Sequence, residues 1–158
     1  MDNLKVYSVF DTETTQNIHK LVEAIETPRW LDVEELQPGR AVKDAGCKYE
    51  YCNEVQMRRV DRDYLRSIAP QHTDFELSEV CVNKYNPGDF IGKHRDRHEY
   101  RKNLVVSLQD SADGLFIHDT EEFVRDKAGQ GVEIVGVGPV HSVPPVSKTR
   151  YSLIFLYE

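Results

Sequence analysis

The stretch Asn86–Tyr100 reads NPGDFIGKHRDRHEY. It offers four candidate metal ligands: His94, Asp96, His98 and Glu99. His94 and His98, four apart, would share one face of a helix, whereas His94 and Asp96, two apart, would share one face of a strand. The leading Asn86-Pro87-Gly88-Asp89 decides between them. Pro suits the second position of a type II turn and Gly the third, where φ is positive. One strand therefore ends at Tyr85 and another begins near Phe90. Gly92 is unfavourable in a helix interior, and no apolar helical face runs through the segment. Arg95 stands where a thermolysin-like zinc helix carries Glu after its first His. The extended reading puts Phe90, Gly92, His94 and Asp96 on one face and leaves His98 and Glu99 as rim residues.

Outward from this stretch, the C-terminal half is a succession of strand-like pieces: FELSEVCVNKY, FIGKH, NLVVSLQ, GLFIH, GVEIVGV, VHSVPPV and RYSLIFLY. NPGD, QDSADG, DKAGQG and GP punctuate them. Many short strands separated by turn residues predict a β barrel or double-sheet roll. The N-terminal half is mixed. KVYSVF predicts a strand. DTETTQ supplies helix-start residues before an apolar face of Ile18, Leu21, Val22 and Ile25, with Pro28 as the stop. The pattern from Thr27 to Gly46 is weak, with a turn at Pro38-Gly39. CKYEYC predicts a short strand and VDRDYLRSIA a short helix ended by Pro70. The fold class expected is α+β, mainly β, with N-terminal helices packed on a β-roll.

A length of 158 residues predicts one domain. With 39% hydrophobic and 30% charged residues, the composition is that of a soluble globular chain able to build its own core. No run of about 18 apolar residues predicts a membrane span, and MDNLKVYSVF does not have the make-up of a signal peptide. Cys47, Cys52 and Cys81 are an odd set with no CxxC spacing, which fits free thiols in a reducing, cytoplasmic setting. The net charge of −7 argues against nonspecific nucleic-acid binding. Two basic clusters remain as surface candidates: Lys93, Arg95, Arg97, Arg101 and Lys102, and Arg58, Arg59, Arg62 and Arg66. Neither partner proteins nor oligomeric state is legible.

His94 and Asp96 side by side make two-thirds of a 2-His-1-carboxylate facial triad, which leaves positions on Fe(II) open for other ligands. HxD alone is weak. Of the other histidines, His19 lies in the amphipathic helix, His72 in a polar loop and His118 after an apolar triplet. His141 is the best third ligand because Arg150 and Ser152 follow it at the start of an apolar strand. A buried cation needs a partner, and the Arg fork suits a carboxylate held through two parallel hydrogen bonds. Ser152 points to the same side of the strand.

With these residues assembled, the C-terminal half, about residues 76–158, resembles the Fe(II)/2-oxoglutarate-dependent dioxygenases, in particular their prolyl-hydroxylase and AlkB-like branches. The matching string is Asn83-x-Tyr85-x-x-Gly88-x-x-Ile91-x-x-His94-x-Asp96, then His141, then Arg150-x-Ser152. The resemblance implies a double-stranded β-helix (a cupin-like jelly roll), with residues 1–75 as supporting helices and strands. It implies that His94, Asp96 and His141 bind Fe(II), and that Arg150 pairs with the C5 carboxylate of 2-oxoglutarate. Tyr85, Ser152 and Asn83 would hydrogen-bond the same cosubstrate. The implied reaction consumes O2 and 2-oxoglutarate, releases succinate and CO2, and hydroxylates a C–H bond of a protein side chain or small molecule. A carboxylate at Asp96 fits hydroxylation or hydroxylation-driven demethylation, since related halogenases carry a small residue there.

Two departures bear on substrate. AlkB-type demethylases usually carry a second Arg six residues after the first, and here that position is Leu156, which counts against a nucleic-acid demethylase. The SADGLFIHD segment lacks the Gly-Gly-Glu-like turn of many hydroxylases and places His118 where it is a candidate for substrate contact. A jelly-roll binding module without catalysis is the rival from another class.

Overall fold

The computed structural model describes residues 4–33, 46–96 and 101–158. Arg97 to Tyr100 and the Pro38-Gly39 turn lie outside them. Among the described residues, two α-helices and twelve strands form two antiparallel sheets. The strands are β1 (Leu4–Ser8), β2 (Leu31–Asp32), β3 (Cys47–Lys48), β4 (Glu50–Asn53), β5 (Leu77–Tyr85) and β6 (Phe90–His94), then β7 (Lys102–Ser107), β8 (Gly114–Ile117), β9 (Glu122–Arg125), β10 (Gln130–Val135), β11 (His141–Val143) and β12 (Arg150–Tyr157). The large sheet runs β1-β10-β7-β12-β5-β4-β2 and the small one β3-β6-β11-β8-β9. The architecture is a mainly β, jelly-roll-like pair of sheets with helices on one side.

The two helices follow from local sequence. Helix α1 (Thr12–Glu23) starts at Asp11, whose side chain accepts a hydrogen bond from the Thr14 N–H at 2.7 Å. It ends at Glu23, well before Pro28, which opens a separate 3₁₀ turn at Thr27–Arg29. Helix α2 (Arg59–Ser67) buries Leu65. Both cover one face of the large sheet. Ile18, Val22 and Leu65 pack there against Val80, Val82, Leu104, Val106, Leu153, Phe155 and Tyr157.

Two expectations need correction. CKYEYC is two strands rather than one: β3 belongs to the small sheet and β4 to the large. The segment EFVR, unmarked in the sequence reading, forms β9, pairing with β8 from Gly114↔Arg125 to Ile117↔Glu122. Several members of the two basic clusters have partners among the described residues. Arg58 meets Asp61, Arg62 meets Asp63 and Arg66 meets Glu54. Arg95 donates to the Gly138 carbonyl, and Arg101 lies over Phe75.

Lys102 is buried at 5% exposure on the helix-covered face. Its ammonium lies 2.7 Å from Glu133 Oε1 and 2.9 Å from His72 Nδ1. Tyr7 donates to the same Glu133 oxygen at 2.9 Å. This cluster ties β1, β7, β10 and the His72 loop together. Burial, helped by Lys102, holds the His72 pKa below the usual imidazole value. Burial opposes charge on Glu133 as well, but Lys102 and Tyr7 outweigh it and hold its pKa below the usual carboxylate value. Truncating one partner of such a pair costs about 3–5 kcal/mol, because the other charge stays buried.

Two outcomes follow. Leu153 points to the helix-covered core and Ile154 to the opposite face, so Leu153→Ala should cost about 2–5 kcal/mol and Ile154→Ala less; equal losses in denaturant midpoint would contradict that division of faces. His72 is neutral when folded, with a pKa below the unfolded value of 6.5. Its contribution is therefore complete above that value and is lost as pH falls through the folded pKa. The stability of wild type relative to His72→Gln should decline on acidification below about pH 6.5; parallel pH–stability curves would exclude this.

Candidate functional site

The strand period of two splits β12 between the two faces of the large sheet. Tyr151, Leu153, Phe155 and Tyr157 go to the helix-packed core. Arg150, Ser152, Ile154 and Leu156 line a cavity of roughly 270 Å3 between the two sheets. Strand β5 does the same, sending Glu79, Cys81, Asn83 and Tyr85 into the cavity. The register pairs Arg150 with Tyr85 and Ser152 with Asn83. The four residues expected to hold a cosubstrate are thus two neighbouring cross-strand pairs at one end of the cavity.

The expected metal ligands come together on the facing sheet. His141 on β11 pairs directly with His94 on β6. Candidate donor atoms of His94, Asp96 and His141 all lie within 4.8 Å of one another. Asp96 Oδ1 is 3.1 Å from His141 Nε2 and 3.9 Å from His94 Nε2. The ring centroids of the two histidines are 4.3 Å apart. Each Nδ1 faces a backbone carbonyl two residues back: Gly92 at 2.8 Å for His94 and Pro139 at 2.9 Å for His141. An Nδ1–H donated to a carbonyl leaves Nε2 as the ligand atom and fixes the ring.

The strand reading of this stretch holds, but one detail differs. Val143 pairs with Ile91 and His141 with His94, so β6 has one more residue between these pairs than β11: a bulge. Gly88, at φ +92°, makes the preceding turn. Because of the bulge, Ile91 and His94 both face the cavity, and Phe90 does not line it. The expected common face of Phe90, Gly92, His94 and Asp96 is replaced by one that begins at Ile91. Asp96 lies beyond the end of β6, where its backbone N–H donates to the Val137 carbonyl at 3.1 Å. His98 and Glu99 fall outside the described residues.

The electrostatics are set by burial and by acids. Burial opposes charge on His141, but the Asp96 carboxylate outweighs it and raises the pKa above the usual imidazole value. A metal ion must displace that proton, so metal affinity falls as pH is lowered. Burial opposes charge on Arg150 too, and the Asp126 carboxylate reverses this, raising its pKa. Burial pushes the Tyr85 hydroxyl up, while Arg150 and a hydrogen bond with Asn83 pull the other way.

Two polar residues escaped the sequence reading. Asn103 on β7 donates from Nδ2 to Asp96 Oδ2 at 2.9 Å, leaving Oδ1 of the carboxylate toward the histidines. Asp126, just after β9, holds Arg150 through two hydrogen bonds. The only sequence signal for Asn103 was NLVVS, whose polar ends at Asn103 and Ser107 share the inward parity; Asp126 gave none. His118 does not line the cavity. It contacts the Ser142 hydroxyl at 2.8 Å and stacks edge-on against Phe116. No disulfide joins Cys47, Cys52 and Cys81, and burial raises Cys52 to about 11.

The donor set fits a metal ion: two imidazole nitrogens and one carboxylate on one side, with the cavity on the other. The cosubstrate end fits in part. Ser152 Oγ is buried without a hydrogen-bond partner, as a hydroxyl awaiting a ligand would be.

No family model matches the chain, and no curated protein matches it. Solved structures do. A prolyl-4-hydroxylase from Pseudomonas putida superposes with a TM-score of 0.70 at 20% identity, over 99% of this chain and 92% of that one. A prolyl hydroxylase from Trichoplax adhaerens, solved with a hypoxia inducible factor peptide fragment, gives 0.69 at 11% identity over 99% and 84%. The non-heme alpha-ketoglutarate-dependent epimerase SnoN of nogalamycin biosynthesis gives 0.59 at 17% identity over 99% and 77%. At these identities the likeness is one of fold: the chain has the fold of the 2-oxoglutarate/Fe(II) oxygenases.

Asn103→Ala removes the donor that holds Asp96 Oδ2 and should weaken metal binding about 10–100-fold, read by calorimetric titration with Mn(II). An unchanged affinity would show that Asp96 is held without it.

Proposed function

We propose that the chain is an Fe(II)- and 2-oxoglutarate-dependent dioxygenase that hydroxylates a C–H bond of a peptide side chain or a small molecule. The observation that carries this reading is the convergence of the His94, Asp96 and His141 donor atoms within 4.8 Å on the wall of a cavity. The cavity's other end carries Arg150 and the unpartnered Ser152 hydroxyl. The two facing sheets are read as a double-stranded β-helix.

Each residue has a role of its own. His94, Asp96 and His141 hold the metal from one side. Asn103 orients the Asp96 carboxylate. Arg150, Ser152, Tyr85 and Asn83 receive the far end of the cosubstrate. When bound, the iron and 2-oxo acid supply O2 activation, with succinate and CO2 as coproducts. The protein positions the substrate and keeps water from the reacting centre. Ile91, Leu115, Val143 and Ile154 give the cavity apolar walls for that purpose.

The substrate is expected at the cavity end near Glu79 and Leu156, which oppose each other across β5 and β12. Leu156 offers neither a charge nor a hydrogen bond there, so the nucleic-acid demethylase is the weaker reading. A binding module without catalysis has no use for a three-ligand site beside a cavity. The resemblance to proteins of differing outcome, an epimerase among them, supports the cofactor set more strongly than the fate of the substrate.

The test needs no known substrate. The protein is purified without O2 and loaded with Fe(II) and 2-oxoglutarate, and succinate is measured once O2 is admitted. Wild type should bind Fe(II) and release succinate slowly. His94→Ala, Asp96→Ala and His141→Ala should lose both. Wild type that binds no more Fe(II) than these variants would sink the oxygenase reading.

A further inference from the structure

The cosubstrate end of the cavity already contains a carboxylate. Arg150 Nε donates to Asp126 Oδ2 at 2.7 Å and Nη2 to Oδ1 at 3.1 Å, which occupies the side-on fork of the guanidinium. Both residues are buried, Arg150 at 4% exposure and Asp126 at 3%. Asp126 is also held from behind: Ser107 Oγ donates to Oδ1 at 2.9 Å and Ser111 Oγ to Oδ2 at 3.1 Å. A second acid, Asp113, is buried nearby; it adds to the negative field on Arg150 and is bound by Ser147. One cation therefore faces two buried carboxylates before any ligand arrives.

We propose that Asp126 is a built-in competitor for the distal carboxylate of a 2-oxo dicarboxylate, which binds at Arg150 by taking the fork from it. This rests on the 2-oxo-acid oxygenase reading above. Adding a third carboxylate to a buried site with one cation is unfavourable, because a buried charge needs its own partner. The Ser107 and Ser111 hydroxyls give Asp126 a place to retreat to when Arg150 is taken. Ser152 Oγ, unpartnered and on the same strand face, completes the receiving end. The consequence is specificity. A site with a free Arg would favour a dicarboxylate strongly over the same acid lacking its distal carboxylate. This site discriminates weakly, and admits 2-oxo monocarboxylates with uncharged tails.

The experiment uses the full chain loaded with Mn(II) and two ligands measured by calorimetry: 2-oxoglutarate, and 2-oxopentanoate, which has the same head and chain without the distal carboxylate. The readout is the ratio of their dissociation constants. Removing the competing charge with Asp126→Asn should raise the preference for 2-oxoglutarate about tenfold or more, as expected for a desolvated charge pair. A ratio unchanged or lowered in Asp126→Asn would overturn the proposal and leave Asp126 as a residue that merely positions Arg150. Asp126→Ser, which keeps a hydrogen-bond acceptor without the charge, serves if the Asn variant does not fold. If neither folds, the wild-type ratio decides: a preference for 2-oxoglutarate under about tenfold supports the competitor and a larger one overturns it. Wild type that binds Mn(II) but neither acid would overturn the 2-oxo-acid reading itself, and the inference with it.

Discussion

The core and the polar end of the cavity both depend on the two-residue period of the longest central strands. In β12, one set of side chains closes the helix-covered core and the alternate set lines the cavity. Strands β5 and β7, which flank it, divide in the same way. A one-residue slip in either pairing would exchange Leu153 and Phe155 for Ser152 and Ile154 and put Arg150 in an apolar core. The apolar side therefore fixes the register, and the register delivers Arg150 opposite Tyr85 and Ser152 opposite Asn83. The polar end of the cavity is a consequence of how the core packs on the far side of the same sheet.

The facing sheet solves a different problem. A metal site needs donors from separate strands to converge, and regular antiparallel pairing aligns only residues directly opposite. His141 and His94 are such a pair. The bulge in β6 then swings Ile91 and His94 onto one face, while Asp96, past the strand end, reaches back toward both rings. Irregularity at a strand end beside a site is the usual place for a bulge, because it re-aims side chains that a straight strand would direct elsewhere. Backbone carbonyls of Gly92 and Pro139 fix the rings, and Asn103 fixes the carboxylate, so each ligand is held by something other than a metal.

Much of this was legible in the sequence because it rests on local chemistry. NPGD dictates a turn by its own φ requirements. HxD on a strand defines a pair. The alternation in RYSLIFLY predicts which residues face which way. What stayed hidden depends on long-range partners. Lys102 reads as one more surface cation in a basic run, and only the fold reveals Glu133, His72 and Tyr7 around it. Asp126 sits among turn residues in VRDKAGQG and looks solvent-exposed until β8 and β9 bring it beside Arg150. The bulge needs the β11 register, and the three residues of β9 beyond its first are too few to show a period. His118 follows an apolar triplet plausibly enough, yet Ser142, on the outward side of β11, is what it contacts.

The inward-facing polar residues also conflict with stability, and the conflict is informative. A β-roll that served only to fold would fill this interior with Val, Ile and Leu. Here Asn83, Asn103, Ser107, Asp126, Arg150 and Ser152 line it instead. Most of these are satisfied by one another, but Asn103 Oδ1 and Ser152 Oγ are buried with no partner. An unsatisfied buried polar atom costs about 1–3 kcal/mol, so two of them in one cavity are expensive for a chain of this size. They stand at opposite ends: one beside the candidate metal ligands, the other beside Arg150. The Ser152 hydroxyl can donate to the distal carboxylate of a 2-oxo dicarboxylate, whereas Asn103 Oδ1, an acceptor, needs a donor that such an acid does not carry. The same geometry makes Asp126 consequential, because it supplies the far end with a carboxylate that the chain carries permanently.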